Sequence, residues 1–75
     1  MPKELPKITA KEIMAVLEKE GFISTRQSGS HKIYKNAQGK RATVPFHGSN
    51  ILHPKLLKSI LKDADISVER LHELL

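Results

Sequence analysis

The chain is 75 residues long, enough for a single domain expected to span 1–75 after a lead-in at 1–7. A chain of this size buries only about 60% of its unfolded surface, so a shallow surface site for a polymeric substrate is expected rather than an enclosed metabolite pocket. The sequence contains no cysteine, which excludes disulfides and thiolate metal sites. Its longest apolar run, residues 13–17, falls far short of the ~20 residues a membrane helix needs, and no export signal is visible near Glu4 and Pro6. No membrane association and a cytoplasmic setting are therefore expected.

The net charge is +5, and its distribution is uneven. All carboxylates lie toward the ends: Glu4, Glu12, Glu18 and Glu20, then Asp63, Asp65, Glu69 and Glu73. Residues 21–62 carry none, but hold Arg26, Lys32, Lys35, Lys40, Arg41, Lys55, Lys58 and Lys62. A basic centre between acidic ends suits a polyanionic partner, although a solvated basic surface without a partner has the same composition. Clustered carboxylates, which two-metal nucleases use to hold Mg²⁺, are missing from the centre. No metal and no cofactor are expected.

Pro2 and Pro6 discourage regular structure in the lead-in. Thr9 and Glu12 have capping-box spacing, and Ala10, Ile13, Met14 and Leu17 form one apolar stripe at helical period. The first helix is thus predicted over about 10–20, with Gly21 as its stop. Residues 22–27 read as a strand, with Phe22 as a possible buried anchor. Ser28-Gly29-Ser30 is a turn signal, and residues 31–35 read as a second strand. Asn36-Ala37-Gln38-Gly39 suits a longer hairpin loop. Residues 41–46 read as a third strand, ending near Pro45, which cannot donate to a ladder. The short links imply an antiparallel meander.

Alternation along the second strand leaves one question open. His31 and Ile33 share one face, Lys32 and Tyr34 the other. If Ile33 is core, His31 nominally points inward; if Tyr34 is core, His31 lies on the open face. Farther on, Pro54 suits the first turn of a helix. Leu56, Leu57, Ile60, Leu61 and Ala64 cover an arc of about 140° on that helix. Lys55, Lys58 and Lys62 fall within about 60° of one another on the opposite side. Ser67 can cap a last short helix bearing Val68, Leu71 and Leu75. The order helix, three-stranded antiparallel sheet, helix, short C-terminal helix predicts a two-layer α+β domain.

With these residues in this order, the chain resembles the HicA (YcfA-like) family of toxins over about residues 9–70. The matching motifs are Gly29-Ser30-His31 followed by Ile33-Tyr34, and Thr43-Val44-Pro45 with His47 two residues on. The stretch 54–66 is also similar, including Leu57, Ser59-Ile60-Leu61 and Ala64-Asp65-Ile66. The resemblance implies a fold like the double-stranded-RNA-binding domain. It also implies an mRNA-cleaving toxin of a type II toxin–antitoxin pair, held inactive by a HicB-type antitoxin. It identifies His31 with the family's catalytic histidine and His47 with the second motif histidine.

Histidine chemistry fits that implication. RNA carries its own nucleophile, the 2′-hydroxyl, and imidazole can take or give a proton near neutrality. Lys32, Lys35 and Arg26 are candidates to stabilise charge on phosphorus, and Ser30 either contacts a phosphate or caps its turn. His47 serves as a second acid/base, orients substrate or caps the connection after the third strand. Lys55, Lys58 and Lys62 form either an RNA-contacting ridge or an ordinary solvated helix face. Tyr34 reads as core before base-stacking platform. His53 reads as a helix-entry residue and His72 as structural, and the histidine spacing matches no metal motif. Two rivals to a nuclease are a non-catalytic RNA-binding module and a protein-interaction domain with an acidic partner.

Overall fold

A computed structural model describes residues 4–46 and 51–75. The elements are α1 (Ala10–Lys19), β1 (Ile23–Ser28), β2 (His31–Lys35), β3 (Arg41–Pro45), α2 (Pro54–Ala64) and α3 (Val68–Leu74). The strands form one antiparallel sheet in the order β1-β2-β3, and α1 and α2 both pack against β3. This is the expected α+β order, consistent with a fold like the double-stranded-RNA-binding domain.

Local chemistry sets the helix ends. The Thr9 side chain accepts from the Glu12 N–H, while the Glu12 carboxylate accepts from the Thr9 N–H at 2.9 Å, which satisfies two backbone donors reciprocally. At the other end Gly21 stands at φ 91°. Its N–H donates to the Glu18 carbonyl and the Phe22 N–H to the Leu17 carbonyl, so the last carbonyls are satisfied by a Schellman closure. Phe22 is buried, but as this closing residue, one position before β1 begins. α2 starts at Pro54, with the His53 Nδ1 accepting from the Lys55 N–H. It ends in the same closure, with Asp65 at φ 59° in the left-handed position usually given to glycine.

Two turns and one bulge shape the sheet. Ser28 pairs with His31, leaving Gly29 and Ser30 as a two-residue hairpin loop. Gly29 alone of the two has positive φ, 58°, the pattern of a type II′ turn, whose twist matches the flanking strands. In the second loop the Asn36 Oδ1 accepts from the Gln38 and Lys40 N–H groups. β1 carries a bulge between Ser24 and Arg26, and the Thr25 hydroxyl donates to the Ile33 carbonyl at 3.1 Å.

The core lies between the sheet and the helices. Ile13, Leu17, Tyr34, Val44, Leu57, Ile60 and Leu71 are its largest fully buried members. Val16 joins the predicted α1 stripe, and Met14 is core. Ile8 is buried and its carbonyl accepts from the Leu52 N–H, so the segment entering α2 is tied beside the start of α1.

Candidate functional site

Burial decides the alternation left open in β2. Tyr34 is fully buried, with Ala42 opposite it, and Val44 opposite Lys32 is buried too. The helix-covered face therefore carries Lys32 and Tyr34, and His31, Ile33 and Lys35 belong to the open face. His31 is the first residue of β2 and is exposed. It has a partner on each side, Ser28 on β1 and Pro45 on β3. The Phe46 N–H donates to the Ser30 carbonyl, which fastens the hairpin turn to the end of β3. His31 is thus an exposed side chain on a backbone held from both flanks. Among the described residues its ring takes part in no hydrogen bond or ion pair.

The open face continues away from His31 as a basic surface. Arg26 pairs with Ile33 across β1 and β2, and Lys35 pairs with Arg41 across β2 and β3. With Thr25, these four residues line a shallow depression. Arg26, Lys35 and Arg41 are exposed, and none has an ion-pair partner among the described residues. Arg26 and Lys35, proposed from sequence, thus fall on the face of His31. Lys32 alternates to the helix side and is half-buried. Ser30 is exposed in the turn, where its hydroxyl neither donates nor accepts among the described residues. Arg41, part of the basic centre of the sequence, also joins the site: the register across the loop 36–40, which no residue of that loop marks, sets it opposite Lys35.

Lys55, Lys58 and Lys62 are exposed, on the side of α2 turned away from its buried residues Leu57, Ile60, Leu61 and Ala64. They belong to the helical layer rather than the open sheet face. Lys40 and Asp65 approach to 3.7 Å, joining the exit of α2 to the start of β3. The exit of α2 therefore lies at the end of the sheet away from His31. His53 is the helix-entry residue expected, and the His72 Nε2 donates to the Glu4 carbonyl at 2.8 Å. His47 lies outside the described residues. Among the described residues no three His, Asp or Glu side chains are placed to share a metal ion, and no helix is long and apolar enough to cross a membrane.

Comparison with protein-family models matches residues 3–66 to the family described as "HicA toxin of bacterial toxin-antitoxin". That span includes the hairpin of His31, the basic open face and all of α2, and it ends before α3. A search of curated proteins found no match.

Proposed function

The chain belongs to the HicA toxin family, and from that premise we propose that it is an endoribonuclease that cuts mRNA and so arrests translation and growth. The observation that carries the reading is His31: an exposed imidazole on a braced strand end, beside a face that bears cations and no carboxylate. In the proposed reaction the 2′-oxygen attacks the adjacent phosphorus as its proton leaves. The bond from phosphorus to the 5′-oxygen breaks, and that oxygen takes up a proton. The products are a 2′,3′-cyclic phosphate and a free 5′-hydroxyl. His31 carries one of these two protons, and His47 is the candidate for the other or for orienting the substrate. Imidazole suits either role because both of its forms are accessible near neutral pH.

Arg26, the cation of the open face nearer His31, is the candidate to offset the charge that builds on phosphorus, with Lys35 farther along to hold a neighbouring phosphate and Lys32 and Ser30 at the rim of the hairpin. The lysine ridge of α2 draws the polyanion toward the domain from the helical side. The same cationic surfaces suit capture by the antitoxin of the pair, which we take to be a HicB-type protein acting in the cytoplasm.

The test is cleavage of an unstructured RNA by the purified protein in the presence of EDTA. Positioned proton transfer contributes about 10²–10⁴ in rate, so His31→Ala should slow cutting by at least that lower factor while RNA binding persists. A substrate with a 2′-deoxy sugar at the cut site should be inert. Undiminished cutting by the variant removes His31 from the mechanism, and normal cutting of the deoxy substrate removes the internal nucleophile. RNA binding by the wild-type protein without any cutting would identify a binding module instead.

A further inference from the structure

We infer that the open face of the sheet is the track for the single-stranded RNA flanking the cut, with Arg26, Lys35 and Arg41 holding its phosphates. This rests on the ribonuclease reading above and adds to it a path, a strandedness and the contact residue Arg41.

The pairing of Lys35 with Arg41 is the first argument. They stand directly opposite each other on adjacent strands, and like charges so placed are destabilising. Neither is offset by a carboxylate among the described residues. Among the described cations Lys40 meets Asp65, Arg70 meets Glu20 and Glu73, and the Lys19 ammonium donates to the Leu74 carbonyl, while the other described lysines are as free of ion pairs as Lys35 and Arg41. What sets Lys35 and Arg41 apart is that they face each other directly across two strands. Charge on an edge strand can serve to discourage strand addition, which would account for Arg26 or Arg41. Lys35 is on the central strand, where that explanation does not apply. A polyanion laid over the face relieves the repulsion.

Spacing is the second argument. Along β2, Ile33 lies about 7 Å from His31 and Lys35 about 13 Å. Arg26 is level with Ile33, and Arg41 is level with Lys35. The cations thus recur from the histidine outward in steps comparable to one extended nucleotide. Ile33, half-exposed among them, and Ile23, 69% exposed and level with Lys35, offer apolar surface to unpaired bases. A single strand can bring its 2′-oxygen into line with the departing 5′-oxygen, whereas an A-form duplex holds it off that line. Non-specific single-strand binding elsewhere combines a cationic path with aromatic surfaces on which bases stack; here the cationic path is present and Ile33 and Ile23 supply apolar contact without stacking.

The test measures binding of a labelled, unstructured oligoribonucleotide across a salt series, in a His31→Ala background so that the ligand stays intact. Wild-type cleavage is followed in parallel. Each phosphate contact to a single strand adds about 0.7 to the log–log salt slope. The variant Arg26→Gln/Lys35→Gln/Arg41→Gln should therefore lower the slope by about 2, and Arg41→Gln alone by about 0.7. Lys7→Gln/Lys11→Gln, at exposed positions near the start of α1, should leave it unchanged. Arg41→Gln should also keep or raise the Tm, since it removes a like-charge pair. The duplex form of the same RNA should bind more weakly and with a slope insensitive to the three changes. If wild-type protein cuts RNA while the triple variant keeps its slope and affinity, the track is wrong and the ribonuclease reading stands. Loss of antitoxin binding with RNA binding intact assigns the face to the protein partner and overturns the inference, as does a duplex that binds more tightly than the single strand. Absence of both RNA binding and cutting in the wild-type protein overturns the track and the reading together.

Discussion

The hydroxyl of Tyr34, fully buried in the core, lies 3.4 Å from the Glu18 carboxylate on α1. Burial raises the phenol's pKa above 10.0, and the adjacent negative charge and the hydrogen bond raise it further. The folded protein thus keeps a proton that an unfolded tyrosine loses near pH 10. The stability this provides is fully present below pH 10 and declines as pH rises through the folded-state value. Tyr34 is the only tyrosine, so tyrosinate absorbance reports it alone. Ionisation should begin at a higher pH in folded protein than in urea. Urea midpoints of wild type and Tyr34→Phe should diverge above pH 10, with the wild type losing more. Parallel curves would show that Tyr34 ionises as freely in the fold as outside it.

Tyr34 also marks where the sequence stopped being readable. The order of elements was legible because turns and caps are local chemistry: Thr9 with Glu12, Gly29 between serines, Pro54 at a helix start. The face of His31 was not, because Ile33 and Tyr34 are neighbours and both can fill a core. Only the packing of α1 and α2 over the sheet selects Tyr34 and leaves Ile33 half-exposed. The bulge at Thr25 had no sequence mark either, such as a glycine. It changes the alternation of β1, so Ile23 faces out at 69% exposure, and Phe22 serves the α1 closure instead of the strand. Arg41 was visible as a charge but not as a neighbour of Lys35, since that depends on the register across the loop 36–40.

Asp65 occupies the left-handed position at the end of α2 and lies 3.7 Å from Lys40. A non-glycine residue there costs about 1 kcal/mol, and the exposed ion pair returns little of it. Asp65→Gly should raise stability by up to about 1 kcal/mol. Asp65→Asn, which tolerates the conformation but lacks the charge, should leave it nearly unchanged. Urea denaturation of the three proteins separates the backbone contribution from the ion pair. A clear loss in Asp65→Asn would mean that the link between α2 and β3 matters more than the conformation.

Gly29 sets the turn that delivers His31. A Cβ at this position would meet no atom within 4 Å, so the cost of a side chain is backbone strain alone. Gly29→Ala and Gly29→Asn should both destabilise, by about 1–3 kcal/mol. The first position of a type II′ turn lies in the mirror-β region that glycine enters freely, and not in the left-handed helical region that asparagine tolerates. The turn lies next to the proposed acid/base, so RNA cutting should fall further in Gly29→Ala than its folded fraction explains. Equal activity per folded molecule would show that His31 is held by its strand pairing with Pro45 and not by the turn.

The last helix lies beyond the family match, which ends at residue 66, yet it is built into the domain. Leu71 is fully buried, the Lys19 ammonium donates to the Leu74 carbonyl at 2.8 Å, and Arg70 reaches Glu20 at 2.8 Å. The polar contacts are exposed, and solvent and salt screen such pairs. Arg70→Gln should therefore shift the unfolding midpoint little, although Glu20 and Glu73 hold the Arg70 pKa above its usual value. Leu71→Ala removes fully buried apolar volume and should cost about 2–5 kcal/mol, a large share of the roughly 5–15 kcal/mol typical of a whole domain. Truncation after residue 66 should be at least as damaging as Leu71→Ala, since it removes the same side chain and Val68 and Leu74, which pack beside it. If the truncated chain unfolds at the wild-type midpoint, α3 is an appendage. If Leu71→Ala and the truncation fall together while Arg70→Gln does not, α3 holds α1 in place through apolar contact.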